Sequence, residues 1–301
     1  TTMELTDEEG DYEFQSVEYY DSYVVEPVRN DLHKEGVSTL DIILIQRHIL
    51  NLENLDSPYK LIAADANKSN SISAADIAEI RKLVLDIKDE YTDNTSWQFV
   101  DANQIFLDPT QPWEYETNVS IPALYIDYSN VEFVAVKTGD VNNSISFYLH
   151  NEETEVRSGD DYGITVRNQT FQAGQQVKVT LDANQTADLY GAQFTLDFDQ
   201  SVLTYLDFTE GQLGLDVDKV STSKASAGQL AISADFVNGR EITEGSELTS
   251  FYFIAQQGGR LSDVIDLTSN VTTAEVYDTN KEVMKITLDF DSSKLTFLHN
   301  I

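Results

Sequence analysis

A chain of 301 residues with 41% apolar and 10% aromatic content is long enough for two ordinary folded domains and too apolar for wholesale disorder. Its 52 acidic against 19 basic residues leave a formal net charge of −33, which argues against a nucleic-acid or anionic-membrane surface. Cysteine is absent, which excludes disulfides, thiolate metal sites and thiol nucleophiles.

The acidic balance suits either a setting of millimolar divalent cations or a surface kept soluble by self-repulsion. No apolar run reaches membrane-spanning length; Ile42 to Ile45 is stopped by Gln46, Arg47 and His48. The start at Thr1 and the run Leu295 to Ile301 are what a mature product, or a fragment of a longer secreted polypeptide, would show. An extracellular location is therefore expected, and a protein without disulfides there needs another staple, such as bound calcium.

Residues 1–29 are acidic and rich in tyrosine, and read as a leader or the end of an upstream domain, with a candidate strand over Ser22 to Val28. An internal repeat follows. Ser38 to Leu50 aligns with Ser73 to Leu85 at an offset of 35 (76 − 41), with Ser, Asp, Ile, Ile and Leu at matched places. Each copy reads as a loop followed by a helix. Ile77, Ile80, Leu83, Val84 and Ile87 make one apolar stripe, and Ile42, Ile45 and Ile49 make the other. Asp76 stands at a helix start, where exposed amides favour a carboxylate.

From Tyr91 the pattern is irregular, with Trp97, Phe99, Phe106 and Trp113, until a strand over Val131 to Val136 that ends at Gly139-Asp-Val-Asn142. Residues 151–161 are polar and read as a linker. Beyond Tyr162 short strands dominate: Ile164 to Val166, Val177 to Leu181, Leu189 to Phe198, Leu203 to Phe208, Leu230 to Phe236, Leu248 to Ile254, Val271 to Tyr277 and Val283 to Phe290. Phe194, Leu196 and Phe198 alternate with Thr195, Asp197 and Asp199. Regular spacing with Gly, Asn and Asp turns predicts a β-sandwich of about eight or nine strands.

The most specific chemistry lies at Asp65 to Asp76. Calcium takes six to eight oxygens in loose geometry, and a tight loop supplies them at alternate positions. Asp65, Asn67 and Ser69 occupy the first, third and fifth positions; Ser71 offers its carbonyl, Ser73 a water-mediated contact, and Asp76 the closing carboxylate. Asn70 is placed where a left-handed turn is needed, and Ile72 is placed to anchor the loop in the core. With only two carboxylates, the affinity expected matches extracellular calcium. The first copy lacks this pattern, since Leu32 and Lys34 fall where oxygens belong. Counting from Asp31 places Asp31, His33 and Glu35 at alternating positions before Gly36 but leaves the loop one residue short of Asp41. The reading there is a weak, non-standard or absent site, with Asp140 and Asn142 expected to complete it with Asp41.

Two loop–helix repeats closing on Asp, followed by Ile/Leu helices with basic residues, resemble a type I dockerin from Asn30 to Ile87. The stretch from Gly36 to Asn142 resembles an extended dockerin-like module of bacterial surface and secreted proteins, through Ser57 to Asp65, Ser96 to Asp101 and Phe133 to Asn142. Phe171 to Val179 and Leu189 to Asp199 resemble a cohesin or carbohydrate-binding-module sandwich. Dockerins bind cohesins, so the resemblance implies docking on a sandwich of the same or another chain. It implies Thr39, Leu40, Ala74 and Ala75 as interface residues, although Ala74 and Ala75 lack the hydroxyls often used there.

The fold class expected is α+β and multidomain: a small helical, calcium-binding, dockerin-like module over 30–150, and an all-β jelly-roll-type sandwich over 162–291, with a tail at 292–301. His33, His48, His150 and His299 lack zinc spacing, and no nucleophile elbow or phosphate loop is present. The leading reading is a non-catalytic, calcium-stabilised structural or adhesive module of an extracellular protein, with assembly into oligomers or filaments left open. The alternative is a sugar-binding sandwich, which requires an exposed row of aromatics such as Tyr190, Tyr205 or Tyr252. A hydrolase fragment would need a cleft with paired carboxylates.

Overall fold

A computed structural model describes residues 2–7, 10–145 and 161–291. The helices are α1 (Thr39–Ile49), α2 (Pro58–Ala64) and α3 (Ala74–Val84). The strands of the first half are β1 (Tyr23–Val25), β2 (Trp97–Asp101), β3 (Val119–Ile121) and β4 (Phe133–Lys137). Those of the second half begin with β5 (Tyr162–Arg167), β6 (Thr170–Phe171), β7 (Gln176–Ala183), β8 (Ala187–Phe198), β9 (Leu203–Phe208) and β10 (Val220–Ser221). They continue with β11 (Gln229–Ile242), β12 (Glu247–Ala255), β13 (Gly259–Arg260), β14 (Ile265–Thr268), β15 (Glu275–Asp278) and β16 (Val283–Asp291).

The repeat folds into the two expected helices, except that α3 ends at Val84, so Ile87 falls beyond it and is exposed rather than on the buried stripe. Ser38 and Ser73 cap α1 and α3, and Asp41 and Asp76 each bond back to the cap amide, closing two equivalent capping boxes. Ile42, Ile45, Ile80, Leu83 and Val84 point into one small core, which α2 joins through Ile62, Ala63 and Ala64. Helix α2 lies within Ser57 to Asp65, where the apolar pattern predicts no helix of its own. Its start is marked by the Ser57 cap and by Pro58, whose fixed φ suits a first turn. The antiparallel β2–β4 pair covers the core, and β1 pairs with β3 at the periphery.

The second half is a β-sandwich. One sheet runs β10–β11–β8–β15, with β14 also on β8; the other runs β5–β7–β12–β9. β16 belongs to both, since Val283 to Lys285 pair antiparallel with β15 and Ile286 to Asp291 run parallel to β5. Phe194, Phe251 and Phe253 are fully buried between the sheets. The alternation on β8 departs from expectation, because Thr195 is buried as well. Its hydroxyl accepts the amides of Val271 and Thr272, which lie over the outer face. The expected linker, apart from Asp161, and the tail lie outside the described residues.

Candidate functional site

The loop from Asp65 to Asp76 closes into a rim of oxygens. Asp65 Oδ1 accepts from Ser69 N and Oδ2 from Asn70 N, both at 2.8 Å, and Asp76 Oδ1 accepts from Asn67 N at 3.1 Å. Ser69 Oγ lies 3.2 Å from the Ser71 carbonyl, to which it donates, and 3.5 Å from Asp65 Oδ1. Asn70 has φ 61°, in the left-handed region expected of the sixth position. Ile72 packs on the helical core, and Ser73 is the helix cap.

A second rim repeats this one with its two halves taken from opposite ends of the helical unit. Asp140 Oδ1 accepts from Ser144 N at 3.0 Å and Oδ2 from Ile145 N at 2.9 Å. Ser144 Oγ donates to the Gly36 carbonyl at 2.9 Å, and Asp41 Oδ1 accepts from Val141 N and Asn142 N at 2.9 and 3.4 Å. Each partner maps onto the first rim: Asp140 on Asp65, Asn142 on Asn67, Ser144 on Ser69, Gly36 on Ser71 and Asp41 on Asp76. Gly36 has φ 74°, and a Cβ there would stand 2.8 Å from Asp140 Oδ2, so a side chain would enter the rim.

The structure thus brings Asp41, Asp140 and Asn142 together. It places Asp31 against Arg29 and leaves Glu35 in solvent, so these two stand outside the rim. Gly36 and Ser144 complete the rim without being expected from the sequence, although the spacing of Asp140, Asn142 and Ser144 repeats that of Asp65, Asn67 and Ser69. Burial raises the Asp65 and Asp140 carboxyls, and burial together with the Asp140 carboxylate raises Asp41 well above the carboxylate range. Among the described residues no three His, Cys, Asp or Glu side chains converge. Each rim therefore combines two carboxylates with amide, hydroxyl and carbonyl oxygens, a donor set that fits a hard cation such as calcium.

The helical unit also meets the sandwich. Helix α1 is apolar on two faces: Ile42 and Ile45 serve its own core, while Leu40 and Ile43 pack on Tyr190 and Tyr277 of the sandwich. Thr39 is fully buried at this junction, its amide donating to Gln193 Oε1 at 2.8 Å and its hydroxyl 2.7 Å from Ser233 Oγ. Gln193 in turn donates to Glu275, which accepts the Tyr277 hydroxyl at 2.9 Å. Gly191 is required here, because a Cβ would meet the Ala234 carbonyl at 2.4 Å and Ile43 Cδ1 at 3.0 Å.

Charged groups frame the apolar centre. Arg81 Nη1 lies 2.8 Å from Asp235 Oδ1, and Gln46 Nε2 donates to Asp235 Oδ2 at 2.7 Å. Arg47 donates to the Val237 carbonyl at 2.8 Å and stacks over Tyr190 at 4.7 Å. Lys281 pairs with Glu53, and Lys224 pairs with Asp86. Thr272 Oγ1 donates to the Val84 carbonyl at 2.6 Å.

Of the expected interface residues, Thr39 and Leu40 are buried at the junction, and Ala74 and Ala75 are exposed. The repeat explains the asymmetry. At the offset of 35, Leu40 and Ile43 correspond to Ala75 and Ala78, so the first turns of α3 present little apolar area. Helix α3 reaches the sandwich through Arg81 and Val84 instead.

The aromatics proposed for sugar binding form no exposed row on the sandwich. Tyr190 is buried under Arg47, Tyr205 packs on Phe253 at 6.0 Å, and Tyr252 is half-buried. Among the described residues no helix is long and apolar enough to cross a membrane.

The second half is thus a two-sheet sandwich that receives helix α1 on its outer β8–β11 face. Residues 163–293 match the family described as Cohesin domain, a non-catalytic protein–protein interaction module. Among solved structures, the chain is similar to a non-cellulosomal cohesin from the hyperthermophilic archaeon Archaeoglobus fulgidus. That match has 16% identity, covers 43% of this chain and 86% of that one, and has a TM-score of 0.33. It is also similar to the CaCohA2 cohesin of Clostridium acetobutylicum, at 18% identity over 45% of this chain and 94% of that one, with a TM-score of 0.32. A third likeness is to a chain of the Coh-OlpC–Doc435 complex, a type I cohesin–dockerin complex of Clostridium thermocellum, at 13% identity over 46% and 94%, with a TM-score of 0.35. No curated protein matches the chain.

Proposed function

We propose that this chain is a calcium-stabilised, non-catalytic interaction module of an extracellular or surface protein, in which a dockerin-like helical unit serves as ligand for a cohesin sandwich. The observation that carries the reading is the seating of Thr39, between Gln193 and Ser233, on the β8–β11 face. A buried threonine whose amide and hydroxyl are both satisfied by the opposing sheet is a specific recognition contact, since an unmatched surface would leave them unpaired.

Calcium enters this reading as a staple. Asp65, Asn67, Ser69, Asp76 and the Ser71 carbonyl would hold one ion; Asp41, Asp140, Asn142, Ser144 and the Gly36 carbonyl would hold another. The bound ion would neutralise paired carboxylates that the fold already holds close. The second rim joins residues 140–145 to the start of α1, so a cation there would fix the helix that carries the docking residues.

The test combines calorimetric calcium titration of the chelator-stripped chain with a pull-down. Binding of calcium in the micromolar to millimolar range is expected. A chain that takes up no calcium at about 10 mM would refute the staple, and an Ile43→Arg chain whose sandwich is as inaccessible to added helical unit as wild type would refute the docking role.

A further inference from the structure

The junction answers a question that the interaction reading leaves open, namely which partner the sandwich face accepts. The face is already covered. Thr39, Leu40 and Ile43 of α1 fill its apolar centre, and polar groups of the helical unit satisfy Gln193, Ser233 and Asp235 from β8 and β11. Four of the 19 basic residues (Arg47, Arg81, Lys224 and Lys281) reach across, so a chain of net charge −33 commits scarce cations to this contact. The pairs run in both directions: Arg81 from the helices meets Asp235 of the sandwich, while Lys224 and Lys281 of the sandwich meet Asp86 and Glu53 of the helical unit. Such alternation fixes register and rejects a helix pair with another charge order.

We propose that the β8–β11–β15 face is a self-occupied receptor: its ligand is the helical unit of the same chain, and this contact closes the face to helical partners from other proteins. The proposal rests on the interaction reading above and names its partner. Two sides carried on one polypeptide meet at an effective concentration on the order of 1 mM. If the chain's own helical unit has an intrinsic Kd of about 1 μM for the face, a foreign helix pair would bind roughly 1,000-fold more weakly to the closed chain than to an opened one.

The absence of cysteine makes a direct test available in the whole chain. In a Thr39→Cys, Ser233→Cys double variant the expected product is a disulfide within a monomer, read by non-reducing electrophoresis and by light scattering on a sizing column. Mixed single-cysteine chains, one T39C and one S233C, should give no covalent heterodimer. A heterodimer or ladder would overturn self-occupancy while leaving the docking reading intact. Absence of any disulfide, within or between chains, would overturn both.

A second arm opens the face from either side. An Ile43→Arg chain has a free face and blocked helices, and an Asp235→Arg chain has free helices and a face that repels Arg81. Mixing the two should yield a 1:1 complex, and wild type should bind either variant roughly 1,000-fold more weakly than they bind each other. Wild type binding as tightly as the opened chains would overturn the proposal. The disulfide arm decides the matter if either arginine variant fails to fold.

Discussion

Val141 donates its main-chain N–H to Asp41 Oδ1 at 2.9 Å, closing a contact between residues 100 positions apart. Through it, the turn at Asp140 and the cap of α1 form one rim that matches the contiguous loop at Asp65. The two rims are therefore expected to respond alike to metal removal.

Chelation should lower the melting temperature of the wild-type chain, because an ion that binds only the native state stabilises it by mass action. Each site would contribute about 2.7 kcal/mol at a free ion concentration 100 times its Kd. Asp65→Ala and Asp140→Ala should each remove part of the response and one ion from the calorimetric stoichiometry. Asp31→Ala should leave both unchanged, and a loss there equal to that of Asp140→Ala would contradict the assignment.

Removing one member of the Arg81–Asp235 pair takes from the other its closest opposite charge in a setting where the side chains are only 12% and 8% exposed. Asp235→Ala is expected to cost about 3 kcal/mol, and the double variant with Arg81→Ala should cost less than the sum of the two single changes. Urea unfolding of the four chains of the cycle measures this. Additive losses would show that the pair does not act across the junction.

The same carboxylate gives the junction a pH dependence. Burial raises the Asp235 carboxyl, but the Arg81 and Lys219 charges and the Gln46 amide outweigh it and hold the group below its ordinary value. A folded-state pKa below the unfolded one contributes stability that is present above about pH 4 and is lost as the pH falls through the folded value. Melting curves from about pH 7 down to about pH 3 should fall more steeply for wild type than for Asp235→Asn, which starts lower. Parallel curves would exclude Asp235 as the titrating group.

Ile43 is fully buried against Tyr190 and Tyr277. Ile43→Ala should cost about 2–4 kcal/mol, and Ile42→Ala a similar amount. The two differ in what is lost: Ile42 faces the helical core, whereas Ile43 faces the sandwich. Hydrogen exchange should show increased opening at Gln193 and Ser233 for the Ile43 variant, with the β2–β4 pair unaffected. Equal exposure of both regions in both variants would mean that the two units do not separate.

Composition, periodicity and spacing were enough to determine the local features of this protein. The capped starts of α1 and α3, the loop from Asp65 to Asp76 and most strands beyond Tyr162 follow from side chains within a dozen residues of one another, and the repeat from matching two such stretches at an offset of 35. The apolar run Leu40 to Ile45 also carried a signal, for a helix that is apolar on two sides must be covered twice. The sequence also pointed to Asp140 and Asn142 as partners of Asp41, but only the tertiary structure decided what covers the helix, and that Gly36 and Ser144 rather than Asp31 and Glu35 complete that rim. Asp140 and Ser144 join Gly36 and Asp41, and Thr39 meets Gln193 and Ser233, through contacts between positions that no local period links. Their partners are set by how two separately built cores pack, and α1 rather than α3 is the helix that docks because Leu40 and Ile43 offer the sandwich area that Ala75 and Ala78 do not.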